Sequence, residues 1–323
     1  MYSLKNIISI VLKVLVGLIS FYLIYARLKN DVTPDKLQII GNAFSSSTSY
    51  ILLIVCALLI PFNWGIESHK WKIITAPVES ISFYRANQSV YAGLCVGNLS
   101  PGRATEFLAK ILFFQTQNRP TITLLHFANG MFQLSVTIVF GLLAVVVFYQ
   151  EKISSEQSIA IWVGLFCILL LGFFTFFISK FHAIQKWAGK KFEKSFTHNA
   201  LPFRFTKQLI IQLLLWSVLR YTVFIMQFIL IIKIFGIETV SSKLIAGISI
   251  YFLLTTVIPM FSFIEPAIRS AIALFVFSGS GIPELALVIS AILLWVLNIV
   301  FPSIAGYYFI VKEKFDFTLF KKA

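Results

Sequence analysis

Apolar runs near residues 7–25, 47–62, 121–149, 158–179, 208–234, 242–258, 264–278 and 285–311 follow one another along almost the whole chain. Several reach the roughly 20 residues that carry an α-helix across a hydrocarbon core of about 30 Å. Backbone N–H and C=O groups find no water at that depth, so a chain made of such runs folds as helices packed side by side. Charge usage agrees: 12% of the residues are charged, about half the share of a soluble domain. The expected fold class is all-α, a polytopic membrane helix bundle of about eight transmembrane helices, forming a single integral membrane domain over 1–323.

Two segments need separate treatment. Residues 7–25 follow Lys5, contain Lys13 and end in Tyr25-Ala26-Arg27. Without a small-residue cleavage site they read as a retained first span rather than a secretory signal. The stretch 83–99 opens with Arg85, Asn87, Gln88 and Ser89, too polar for a lipid-facing span. A re-entrant or interfacial helix near 83–114, sheltered by protein, is predicted instead.

Lys180, Lys186, Lys190, Lys191, Lys194, Arg204 and Lys207 face one acid, Glu193, in the loop between two runs. An excess of Lys and Arg marks a cytoplasmic loop. Counting spans outward from it places both termini in the cytoplasm, provided that 83–99 does not cross. The formal charge of +14 then reflects such loops meeting anionic lipid headgroups, and no nucleic-acid partner is expected. The longest stretch outside the bilayer is this loop, well short of the about 50 residues of a small domain. Any chemistry is therefore expected in or at the membrane.

Cys56, Cys95 and Cys167 show no paired spacing, and His69, His126, His182 and His198 show no ligand motif. No disulfide framework, metal site or cofactor is expected.

Polar residues inside such a chain are functional candidates by default. Between Gly97 and Lys110 the chain reads Gly-Asn-Leu-Ser-Pro-Gly-Arg-Ala-Thr-Glu-Phe-Leu-Ala-Lys. Ser100-Pro101 has the form of a helix start, predicting a helix that runs into Phe114 with Arg103 in its first turn. Arg103, Glu106 and Lys110, three and four apart, then share one stripe. Free amides and a guanidinium there suit an anion such as a lipid phosphate; a solvated interfacial helix is the plainer reading. Glu265 and Arg269, four apart in an apolar region, form either a second functional pair or a self-neutralising lock between helices. Arg220 stands mid-run with no acid at i±3 or i±4, which leaves Glu265, Glu106 or a phosphate as its partner.

The run from Asn98 through Ser100, Pro101, Gly102, Arg103 and Glu106 to Phe107, followed by Ile258-Pro259 and Glu265-Pro266-Ala267-Ile268-Arg269-Ser270, resembles the lysylphosphatidylglycerol synthase transmembrane-region family, also described as flippase-like. The resemblance covers nearly the whole chain. It implies a stand-alone translocating domain without a soluble transferase, lodged in a bacterial cytoplasmic (inner) membrane. The implied function is lipid transport, with membrane lipids bearing anionic or polyprenyl-phosphate-linked headgroups as partners. The substrate-binding set is then Asn98, Ser100, Pro101, Gly102, Arg103, Glu106, Arg220, Glu265 and Arg269, with no catalytic residue. Alternatives are a membrane-embedded transferase using Glu106 or Glu265 as general base, and a non-catalytic partner of a separate lipid-modifying enzyme.

Overall fold

The structure is a computed structural model that describes residues 22, 25, 34–149, 172, 174, 176, 178–181, 183–186, 203–237, 239–258 and 264–313. These residues are overwhelmingly helical. In chain order the helices with both ends among the described residues are α1 (Pro34–Ala43), α2 (Ser47–Thr75), α3 (Phe83–Gly97), α4 (Glu106–Ile111), α5 (Arg119–Tyr149), α6 (Lys207–Ile234), α7 (Ser242–Val257), α8 (Glu265–Val276), α9 (Glu284–Trp295) and α10 (Phe301–Lys312). A π-turn over Val296–Val300 joins α9 to α10 into one long helix. Hydroxyl side chains start several of them: Ser46, Ser82, Thr206 and Ser241 each accept a hydrogen bond from the backbone N–H three residues on, satisfying a donor that the helix leaves free.

Four of these helices are long and apolar enough to cross a membrane: Ser47–Thr75, Thr116–Val145, Lys207–Ile234 and Glu284–Lys312. Most of the expected spans 7–25 and 158–179, and most of the basic loop, lie outside the described residues. The expected spans 242–258 and 264–278 take another form. Helix α8 has 12 residues, a rise of about 18 Å, too short for the hydrocarbon core. Helices α7 and α8 pack together, with Tyr251 of one beside Arg269 of the other. Pro266, which cannot donate to a preceding turn, lies in the first turn of α8.

The spanning helices are inverted in polarity relative to a soluble bundle. On α2 the residues Ile51, Ile54, Leu58 and Phe62 are exposed, whereas Asn63, Glu67, Ser68 and Lys70 are buried. Two apolar clusters hold the bundle. One centres on Phe228, Tyr251, Ile272 and Ala291; the other on Trp71, Leu94, Ile122 and Phe132.

After α3 the chain reverses and α4 returns along it. A Cβ on Gly93 would meet the Lys110 side chain at 2.6 Å, and one on Gly97 would meet Glu106 Cβ at 3.0 Å. Ser89 Oγ donates to the Lys110 carbonyl at 3.0 Å, which ties the two strands of this hairpin together. Helix α3 also packs tightly on α10, where a Cβ on Gly306 would run into the backbone carbonyl of Tyr91. Relief requires movement of a whole helix, so Gly306→Ala is expected to cost about 1–3 kcal/mol, as overpacking does. A lowered melting temperature is the readout; an unchanged one would mean that α10 is free to slide on α3.

Candidate functional site

The reversal between α3 and α4 differs from the expected helix start. Gly102 has φ 58° and Arg103 φ 57°, and two successive left-handed residues end any right-handed helical path. Ser100 works across this turn: its hydroxyl donates to the Gly97 carbonyl at 3.1 Å and accepts from Thr105 N at 2.9 Å. Thr105 Oγ1 lies 2.8 Å from the same hydroxyl. The helix proper starts only at Glu106. Arg103 therefore sits in the break and not on the stripe of Glu106 and Lys110.

Both interrupted segments open onto one cavity of ≈ 640 Å³. From the first hairpin come Gly102, Arg103, Glu106 and Lys110, and from the α7–α8 pair Thr255, Ile258, Glu265 and Arg269. The long helices add Glu67, Asn129, Arg220 and Asn298. Of the residues singled out from sequence, Gly102, Arg103, Glu106, Arg220, Glu265 and Arg269 thus meet at one place. Asn98 and Ser100 do not line it. Asn98 Nδ2 donates to Ser303 Oγ at 2.5 Å, bracing the hairpin against α10, and Ser100 holds the turn.

The cavity reaches the middle of the bundle. Arg220 is thirteen residues from one end of α6 and fourteen from the other, about 20 Å of rise either way. Asn298 occupies the same middle position in the helix 284–312, within the π-turn. Arg220 Nε donates to Asn63 Oδ1 at 3.1 Å, and Asn63 Nδ2 donates to Asn298 Oδ1 at 3.2 Å. The guanidinium also lies over the rings of Trp64 and Phe224, at 5.0 and 5.2 Å from their centroids, a favourable setting for a desolvated cation.

The partner of Arg220 is neither Glu265 nor Glu106. Its Nη1 meets Glu67 Oε2 at 3.1 Å. Glu67 also accepts from Asn129 Nδ2 at 2.7 Å and stands 3.5 Å from Lys70 Nζ. Glu265 is held by Arg269, whose Nε and Nη2 lie 2.9 and 2.7 Å from Oε1. Glu106 is held by Lys110 at 2.6 Å, not by Arg103. Each carboxylate is therefore engaged by a cation, as buried charges require.

Arg103 is the exception. Among the described residues no hydrogen bond or ion pair engages its guanidinium, although it stands within electrostatic reach of Glu106, Arg220 and Glu265. A non-glycine residue in the left-handed region is costly and is a mark of functional sites when its surroundings hold it there. The cavity thus combines three neutralised carboxylates with one uncommitted cation.

Over residues 10–306 the chain matches the model of the lysylphosphatidylglycerol synthase TM region. It belongs to that family. A comparison with curated proteins gives no match. As a member of the lysylphosphatidylglycerol synthase TM-region family with membrane-spanning helices, it is a multi-pass membrane protein related to lipid handling.

Glu67, Lys70, Asn63, Asn129 and Asn298 were not singled out in the sequence. Glu67 and Lys70 lie beyond the apolar run 47–62, where hydropathy alone ends the span. The available signal was the absence of any proline between Pro61 and Thr75, which lets α2 carry the i, i+3 pair inward.

Proposed function

We propose that this protein carries lipids with an anionic phosphate headgroup across a bacterial cytoplasmic membrane, the headgroup passing through the cavity and its phosphate engaging Arg103. The observation that supports this reading is the unengaged guanidinium of Arg103 in a cavity that reaches mid-bundle. A guanidinium suits phosphate oxygens bidentately. Interrupted segments in separate parts of the chain that converge on one site are also characteristic of transporter architecture. Gly102 leaves room beside the headgroup, and Asn98, Ser100 and Pro101 shape the turn that presents Arg103. Arg220 and Arg269, held by Glu67 and Glu265, add positive field without gripping the phosphate, so that release stays accessible.

The transferase alternative draws less support, because a general base needs a free carboxylate and both Glu106 and Glu265 are held by cations. In the orientation proposed here both termini are cytoplasmic. Purified protein in phosphatidylcholine vesicles is expected to translocate a labelled anionic phospholipid and not labelled phosphatidylcholine. Equal rates for the two, or none for either, would remove this reading.

A further inference from the structure

The charges gathered at the cavity do not cancel. Glu67 pairs with Arg220, Glu106 with Lys110 and Glu265 with Arg269. Two cations remain. One is Arg103. The other is Lys70, which is fully buried, lies 3.5 Å from the Glu67 oxygen that Arg220 already holds at 3.1 Å, and has no hydrogen-bond partner among the described residues. Lys70 does not line the cavity, yet Glu67, the carboxylate between it and the cavity, has only one charge to divide between it and Arg220. In surroundings of low dielectric an uncompensated charge is strongly unfavourable, and its field is felt over longer distances than in water.

A phosphodiester headgroup brings one negative charge and leaves one cation unbalanced. A phosphate monoester carries between one and a half and two negative charges near neutral pH, with its second pKa at about 6. It also presents three terminal oxygens, enough to satisfy a bidentate guanidinium and still accept from a neighbour. We infer that the cavity selects a lipid phosphate monoester over a phosphodiester, with Arg103 contacting the phosphate and Lys70 setting the preference through the charge it adds behind Glu67. This rests on the lipid-carrying reading above and specifies its substrate class.

The test compares phosphatidate with phosphatidylglycerol of the same acyl chains, and with inorganic phosphate, as ligands of the purified protein in phosphatidylcholine nanodiscs at pH 7. Phosphatidate is expected to bind about tenfold more tightly than phosphatidylglycerol, the effect of one extra modest charge interaction, and inorganic phosphate much more weakly than either. Lys70→Met is expected to bring phosphatidate down towards the level of phosphatidylglycerol, which loses less because its single charge feels the same field less strongly; phosphatidylglycerol binding that persists also shows that the variant is folded. Lys70→Gln serves the same purpose if the first variant fails to fold. Equal affinity for the two lipids in the parent protein, or a preference that survives both substitutions, overturns the inference while leaving anionic lipid transport standing. Inorganic phosphate binding as tightly as phosphatidate overturns the lipid as the source of the group. Failure of both lipids to bind removes both readings.

Discussion

Arg103→Gly is expected to cut lipid translocation severely while leaving the protein at least as stable as its parent. At φ 57° an arginine holds a backbone conformation that costs an L-residue about 1–2 kcal/mol and costs glycine nothing. The side chain that is lost makes no hydrogen bond or ion pair among the described residues, so no buried partner is stranded. Stability should therefore rise or stay level. Transport should fall about a hundredfold, since hydrogen bonds to a charged group contribute about 1.5–3 kcal/mol each. Melting temperature and the vesicle translocation rate, measured on the same preparation, check both halves. Parental transport in the glycine variant would dismiss Arg103 as the phosphate-binding group, and a large drop in melting temperature would reveal a structural role for its guanidinium. The opposite signs expected for stability and activity are what separates a functional residue held in strain from a packing residue.

The fold was legible to the extent that hydropathy dictates it. Runs at 121–149, 208–234 and 285–311 become helices over nearly those residues because each is predominantly apolar from end to end. The segment 83–99 could be recognised as unable to face lipid, and it does form one arm of a hairpin. What hydropathy alone could not decide is whether an apolar run crosses. Residues 264–278 are as apolar as a span, but α8 runs for only 12 residues, from Glu265 to the turn after Val276. Polarity misled in the other direction at 63–75, where a helix continues past its apolar run because its polar face is covered by protein rather than by lipid.

The site was legible residue by residue and not pair by pair. Arg220 was recognisable as a charge without a local partner, since i±3 and i±4 are fixed by helix geometry. Its actual partner, Glu67, lies more than 150 residues away in sequence, and only the packing of α2 on α6 brings them together. The Glu106–Lys110 and Glu265–Arg269 pairs could be anticipated from their spacing of four. The position of Arg103 depended instead on the left-handed turn at Gly102 and Arg103, which the proline after Ser100 disguised as a helix start. Local spacing thus identifies short-range pairs, while long-range pairs and backbone reversals depend on tertiary packing.

Removing Glu67 should be the most damaging single change within the charged cluster. Glu67→Ala strands Arg220 at mid-bundle with only the Asn63 amide oxygen and two aromatic faces, and leaves Lys70 with no counter-ion. Breaking a buried ion pair by deleting one member costs about 3–5 kcal/mol, because the remaining charge is uncompensated. Here one deletion exposes two charges, so the upper part of that range is expected. The cost should shrink sharply when Arg220→Met and Lys70→Met are already in place, since apolar replacement of the whole cluster leaves no charge to strand. A double-mutant cycle on unfolding free energy measures this coupling. If Glu67→Ala were equally costly in both backgrounds, Glu67 would matter only through its contact with Asn129. A strong coupling would instead establish that the carboxylate's task is to offset the cations on either side of it, leaving Arg103 as the charge that meets the passing headgroup.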